Sequence, residues 1–400
     1  MKILCVFGQH NYGDPARGQG YEYSNFLPAL RSLGHEVAVF DSFSRVIHTD
    51  FTALNRALLE TVERFRPDML FCVLLGYEIW LETLSLIRKS GVRLLNWGTD
   101  DSWKYDQFSR FVAPSFDLWV TTSDAAWQAA QRDGFDNFIL SQWAASAANL
   151  AEPLPARDCR YQVSFIGSAY GNRPRWVAEL KARGIEVACF GYGWPGGPVT
   201  ADDIPRIVRE SVVSLNFGDS GLHFRGLRPY RSRQIKARVF EAPGAGGCLL
   251  TEPAEHLRDY FVPGSEIEVF RDVDELAEKL RHLLTHHEQR DAMAWAGYQR
   301  TLAEHTYEAR FRKLLEYLPA EAERAPVDIA AFDAIAAAHR CGGGARLLRK
   351  LISAPCRMIW GTPRGMRAAR RILFELSWRL AGRKTYTAAG LPGRLFYRES

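Results

Sequence analysis

Tyr161-Gln162-Val163-Ser164-Phe165-Ile166-Gly167-Ser168-Ala169-Tyr170-Gly171-Asn172-Arg173 decides the architecture of this chain. Six residues of strand composition run into a turn of small residues, and the pattern then predicts a helix over 173–183. The stretch follows residues 144–160, which are rich in Ala and Pro, lack periodicity and read as a linker. It therefore opens a second round of a rhythm that the chain has already completed once.

In the first round, apolar runs of strand length fall at 3–7, 37–40, 69–75, 92–97, 118–121 and 138–140. Helical patterns lie between them at about 21–33, 54–65, 79–89 and 124–132. The second round continues with runs at 187–190, 212–217, 248–250 and 266–270, and with helices at about 273–285, 287–304 and 307–317. Such alternation predicts parallel sheets with crossover helices. The expected fold class is α/β: two Rossmann-like, doubly wound lobes, residues 1–145 and 160–320, facing a cleft, followed by a helical extension over 321–400. Open sheets of this kind bind ligands at the carboxyl ends of their strands.

Composition supports a globular chain, with 47% hydrophobic and 24% charged residues. Charge is distributed unevenly. Residues 340–400 carry 14 Lys and Arg against only Glu375 and Glu399, whereas the rest carries 37 basic against 44 acidic residues. The seven cysteines are scattered, without a C-x-x-C pair, which argues against a disulfide framework or a zinc site. The run at residues 3–7 is too short for a signal-peptide core, and no later apolar run reaches 18 residues. A cytoplasmic protein is expected.

Four loops carry candidate chemistry. After the first strand come His10, Asn11 and Gly13, in a glycine-rich loop leading into a helix, suited to an anion or sugar hydroxyl on the acceptor side. Asp100 and Asp101 follow the strand at 92–97, and either orient and deprotonate an acceptor hydroxyl or cap the next helix. The turn of Gly167 and Ser168, with Arg173 beyond it, suits a diphosphate, and Gly191 and Tyr192 form a second small-residue turn after the next strand. The densest signal is Arg231-Ser232-Arg233-Gln234-Ile235-Lys236-Ala237-Arg238-Val239-Phe240-Glu241, followed by Gly246, Gly247 and Thr251. Arg238 and Glu241 are i,i+3 neighbours on a helix. A cation for phosphate beside a carboxylate for ribose hydroxyls is what a nucleoside diphosphate requires.

The run Arg238-Val239-Phe240-Glu241, Gly246-Gly247-Cys248-Leu249-Leu250-Thr251, Phe261-Val262-Pro263-Gly264-Ser265-Glu266-Ile267, Phe270-Arg271-Asp272 and Glu304-His305-Thr306-Tyr307 resembles the C-terminal lobe of the CgeB-like glycosyltransferases. That group is related to the group-1 (family 4-like) retaining enzymes. The resemblance spans about 161–318, is looser over 1–140 and leaves the tail outside. It implies a GT-B fold and a nucleotide-sugar donor held mainly by the second lobe, with metal-independent transfer and no cofactor. It casts Glu241 as the ribose ligand, with Arg238 and Arg173 as the basic residues of the donor site. Where the wider superfamily has a second Glu, eight residues before Glu241, this chain has Arg233. The expected site is therefore Gly167, Ser168, Arg173, Gly191, Tyr192, Lys236, Arg238, Glu241, Gly246 and Thr251 for the donor. His10, Asn11, Gly13 and Asp100 serve the acceptor, with Asp100, Asp101 and Arg238 in catalysis. The acceptor is expected to be a glycan or lipid-linked. A sugar-nucleotide epimerase and a non-catalytic nucleotide-sugar-binding protein are the alternatives on the same fold.

The tail has its own reading. Met366, Ala369, Leu373, Leu376 and Leu380 recur at helical spacing with Arg367, Arg370 and Arg371 off the stripe. Such a segment either docks on an anionic membrane surface or packs its stripe on the acidic body. No nucleic-acid module is recognisable.

Overall fold

The computed structural model describes residues 1–225, 228–340 and 343–400, with side chains described outside 219–232. Cys341 and the side chains of Arg231 and Ser232 thus lie outside the described residues. The chain divides into two compact units: Met1–Ser141 together with Leu314–Ser400, and Gln142–Lys313.

The first unit is built on six parallel strands, β1 (Lys2–Phe7), β2 (Glu36–Asp41), β3 (Met69–Cys72), β4 (Arg93–Gly98), β5 (Leu118–Thr121) and β6 (Phe138–Leu140). Their order is β2-β1-β3-β4-β5-β6, as expected of a doubly wound sheet. The central strands read as continuous apolar runs because both faces are covered: Leu4, Leu70 and Leu94 on one face and Cys5, Phe71 and Leu95 on the other are all buried. The helix Phe51–Phe65 begins at Asp50, whose carboxylate accepts from the Ala53 N–H, and buries Leu54, Leu58 and Val62.

The returning chain completes this core. Phe332, from the helix Ile329–Ala338, stacks on Trp80 at 5.8 Å, and Tyr397 meets Phe51 edge-on at 4.8 Å. Tyr386 is fully buried, and its hydroxyl donates to the Gln107 carbonyl. The two long tail helices are Gly343–Trp360 and Thr362–Ala381. They bury Cys356, Ala369 and Leu373 against each other and against Leu395 and Phe396. Ala369 and Leu373 of the predicted stripe are therefore internal, with Met366 packed against them, whereas Leu376 and Leu380 remain exposed.

The second unit has five parallel strands, β7 (Tyr161–Ile166), β8 (Ala188–Phe190), β9 (Ser211–Asn216), β12 (Leu249–Thr251) and β13 (Glu268–Val269), in the order β13-β12-β9-β7-β8. Between β9 and β12 the chain forms an antiparallel ribbon, β10 (Asp219–Arg225) with β11 (Arg228–Arg233). Read in chain order, the sheet repeats the 2-1-3-4-5 sequence of the first unit. Arg290 lies inside this unit with no exposure, and its guanidinium donates to the carbonyls of Val212 (2.6 Å), Leu154 (2.7 Å) and Ser211 (2.8 Å).

Candidate functional site

The carboxyl edge of the second sheet gathers most of the predicted donor residues. After β7, the Gly167–Ala169 turn is laced to the turn after β8. Gly167 N–H donates to Phe190 O (2.8 Å), Ala169 N–H to Tyr192 O (2.8 Å), and the Trp194 indole to Gly167 O (2.8 Å). Gly191 has φ +125° and lies so close to Gly167 that a side chain at 191 would strike the Gly167 carbonyl. Gly167 and Gly191 are thus required by the close approach of two turns. Tyr192 is exposed, where a planar ring is free to meet a base.

Arg173 begins the helix Arg173–Ala182, but its guanidinium is turned inward. It donates to Ser168 O (3.0 Å), to the Tyr170 hydroxyl (3.1 Å) and to Phe217 O (3.3 Å), and it stacks 4.0 Å from the Tyr170 ring. This corrects the expectation of an arginine offered to a diphosphate. Arg173 clasps the loops after β7 and β9, the two strands between which the sheet order reverses.

The segment after β11 supplies the open charges. Arg238 and Glu241 lie in the helix Arg238–Gly244, and Arg238 Nη1 stands 3.6 Å from Glu241 Oε2. Both side chains are partly exposed, at 17% and 24%. Lys236 precedes the helix and donates to the Gln234 side chain at 2.9 Å. Arg233 pairs with Glu252 (3.3 Å), whose carboxylate is almost fully buried just beyond β12. Glu252 escaped the sequence reading, because only the fold brings it beside Arg233.

Two predicted donor residues are structural. Gly246, at φ +80°, packs where a side chain would come within 2.6 Å of the Ala151 carbonyl, so it serves contact with the segment before β7. The Thr251 hydroxyl is buried, accepts from the Asn216 amide (2.9 Å) and donates to Glu252 O (3.2 Å).

At the carboxyl edge of the first sheet, the loop after β1 is held by its own polar groups. His10 bridges to Gln19, and the Asn11 amide donates to Arg17 O (3.1 Å) and Gln19 O (2.8 Å). Asn11 therefore closes the loop instead of facing an acceptor, and Gly13, at φ +69°, lets the chain pass under Phe43. Asp101 is a second correction. Its carboxylate is buried and accepts from Ser109 (2.5 Å) and the Trp119 indole (2.9 Å), with Thr121 as a further partner. Burial pushes its carboxyl above the usual range despite these donors. It cannot act on an acceptor without dismantling that network.

Asp100 differs from its neighbour. It is partly exposed and pairs with Lys104 at 3.1 Å. Near it lies Glu22, in the first turn of the helix Tyr21–Ser32, whose carboxyl is raised by burial and further by the Asp100 charge. Two such carboxyls, one raised, can exchange a proton with a hydroxyl. Glu22 was missed because nothing in its local sequence separates it from an ordinary first-turn acid.

Residues 173–316 match the model of a family described as glycosyl transferase-like. No curated protein matches the chain. Among solved structures, the chain is similar to HepE of Anabaena in complex with UDP and glucose, at 12% identity and a TM-score of 0.54, over 79% of this chain and 99% of that one. It is similar to the sucrose-phosphate synthase of Thermosynechococcus elongatus, at 12% identity and a TM-score of 0.53, over 79% and 100%. A glycosyltransferase of Rickettsia africae matches at 11% identity and a TM-score of 0.53, over 79% and 97%. At such identities the likeness is one of fold. That fold is GT-B. Together with the family match in the second unit, it defines the class of enzyme as glycosyltransferase.

Proposed function

We propose that the chain is a retaining, metal-independent glycosyltransferase of the CgeB-like type, moving a sugar from a uridine diphosphate donor to a glycan or lipid-linked acceptor. The carrying observation is the partly exposed Arg238–Glu241 pair, with Lys236 just before it, on the segment that follows β11. Glu241 suits the ribose hydroxyls. Arg238 and Lys236 suit the diphosphate, whose charge grows as the glycosidic bond breaks, so they would stabilise the leaving group in place of a metal. HepE, which shares the fold, is described in complexes with UDP and with UDP-glucose, which supports uridine as the base. Asp100 with Glu22 would orient the acceptor hydroxyl.

Calorimetry with UDP tests this reading. Glu241→Ala and Arg238→Ala should each weaken binding about ten- to hundredfold, the loss expected for a charge-assisted bond, with the melting temperature kept. Unchanged affinity in both variants would refute the site. Release of UDP from UDP-sugar only when an acceptor is added separates a transferase from an epimerase or a binding protein.

The same proposal places the enzyme on the cytoplasmic face of an anionic membrane. Leu347, Leu351 and Met358 share one exposed helix face, and each directly follows an exposed basic residue, Arg346, Lys350 or Arg357. Such pairing suits an apolar face in lipid with its cations at the phosphates. Among the described residues no helix is long and apolar enough to cross a membrane. The six described cysteines are free thiols, as a reducing compartment would keep them. Removing the tail is a poor test, because it would take Tyr386, Ala388 and Tyr397 out of the core. Met358→Glu with Leu351→Glu in the full chain should abolish co-sedimentation with phosphatidylglycerol vesicles; equal sedimentation of variant and parent would exclude this face.

A further inference from the structure

The sheet order of the first unit reverses between β1 and β3, and the crevice beyond their carboxyl ends is where an open α/β sheet takes its ligand. Two adjoining cavities lie there, of about 210 Å³ and 160 Å³. Both are lined by Leu75, Gly76 and Tyr77, from the loop after β3, and both are lined by Arg370. Arg370 belongs to the helix Thr362–Ala381, so the tail supplies a cation to the crevice of a sheet that ended far earlier in the chain.

Arg370 differs from the other charges around it. Glu375 is taken by Arg379 and the Trp378 indole (3.1 Å). Glu78 is buried and accepts from the Leu75 N–H at 2.6 Å. Lys104 is held by Asp100 and the Leu75 carbonyl. Arg45 donates one bond to Ser42 O (2.8 Å) and is sandwiched between the rings of Phe51 and Tyr397 at 5.1 and 5.2 Å, which fixes its plane, while its buried Nε has no hydrogen-bond partner. Arg370 has no hydrogen bond or ion pair with any described residue, and its Nε is buried from solvent. Arg371 joins it on the rim of the larger cavity.

Taking the Nε–H of Arg370 out of water without an acceptor is costly, and a multi-oxygen anion is the ligand whose geometry satisfies that N–H together with the neighbouring Nη groups of the fork. The aromatic walls formed by Tyr77, Phe51 and Phe374 suit the rest of an amphipathic or sugar-like molecule. We propose that the acceptor bound by the first unit carries a phosphate group, gripped by Arg370 with Arg45 beside it. This rests on the transferase reading above, and it names the acceptor class that the reading leaves open. The phosphate can belong to a soluble sugar or polyol phosphate or to a lipid-linked precursor; the chemistry of the grip is the same.

The test is calorimetric titration of the full chain with inorganic phosphate, with UDP held at saturation so that the donor site is filled. The parent should bind phosphate, Arg370→Gln should weaken that binding about tenfold or more, and Arg370→Lys should restore part of it as a point charge. Arg364→Gln, on the same helix but outside both cavities, should bind as the parent does. Competition for the bound phosphate by glycerol 3-phosphate assigns a soluble source. Competition only by phosphatidylcholine vesicles doped with phosphatidic acid assigns a lipid-borne one. Equal phosphate binding by parent and Arg370→Gln, or none by either, overturns the proposal. Failure of the chain to bind UDP would instead strike the donor reading and leave the phosphate result to be judged by itself.

Discussion

The two sheets share a strand order but treat their crevices in opposite ways. In the second unit, Arg173 fills the reversal between β7 and β9 and spends its guanidinium on the carbonyls of Ser168 and Phe217. In the first unit, the reversal between β1 and β3 is open, aromatic-walled and faced by an arginine with no partner. The residue type is the same and the consequence differs. An arginine surrounded by main-chain carbonyls is part of the scaffold, whereas one that faces a cavity and bonds to none of its lining is available to a ligand. Stability measurements can break or sharpen this contrast.

The largest effect should come from Arg290, the most enclosed of the scaffold arginines. Arg290→Met would remove the charged donor from three carbonyls, and the expected loss is about 3–5 kcal/mol, as when one partner of a buried charged network is removed. Denaturant unfolding followed by the tryptophans of the second unit would read it. A loss under about 1 kcal/mol would mean that carbonyl-saturated arginines are not structural here.

Acidification should have the next largest effect. His305 is buried, donates from Nε2 to the Tyr260 carbonyl (2.7 Å) and accepts from Arg310 at Nδ1 (3.3 Å). Burial, with Arg310 and Arg300 nearby, brings its pKa down to about 4. The unfolded chain, with a histidine near 6.5, binds the proton more readily across that interval. The second unit is therefore at full stability above pH 6.5, and on descending to about pH 4 it should lose roughly 3 kcal/mol from this group. His305→Gln should flatten that part of the profile. An unaltered slope in the variant would assign the loss elsewhere.

How much of this was legible in the sequence follows from how local each cause is. The strand at 161–166 and the helix at 287–304 are observed with the bounds read from pattern alone, since apolar spacing is a local property. The apolar run at 69–75 was not one strand. β3 ends at Cys72, after which Leu74 N–H turns to the Asn96 side chain (3.0 Å) and Leu75 N–H to Glu78. Asn96 belongs to β4, so the pattern within the run could not foretell it, and this departure from the sheet is what opens the cavity. Asp101 looked like a cap or a base because its true partners, Trp119 and Thr121, lie in β5. The Arg238–Glu241 contact was visible because three residues on a helix suffice to make it. The role of Arg370 was not, because its cavity is built by loops some 300 positions earlier, and a stripe on one helix says nothing of what the off-stripe residues face.

The smallest expected effect is also the most discriminating. If Arg370 were a scaffold arginine like Arg173 or Arg290, replacing it would cost stability. In the absence of ligand it holds no carbonyl, carboxylate or hydroxyl among the described residues. Arg370→Met removes a half-buried, unsatisfied guanidinium and keeps most of the aliphatic stem that packs near Phe374. The unfolding free energy should therefore stay within about 0.5 kcal/mol of the parent or rise slightly, because a desolvation penalty is relieved and no bond is lost. Arg173→Met, by contrast, breaks a bond to Phe217 O and one to Ser168 O and should lower stability by about 2 kcal/mol. Parallel unfolding curves for the two variants, without UDP or phosphate, give the comparison directly. Equal destabilisation would show that the first crevice is scaffold as well, whereas a neutral Arg370→Met whose phosphate stabilisation is lost would separate binding from folding at a single side chain.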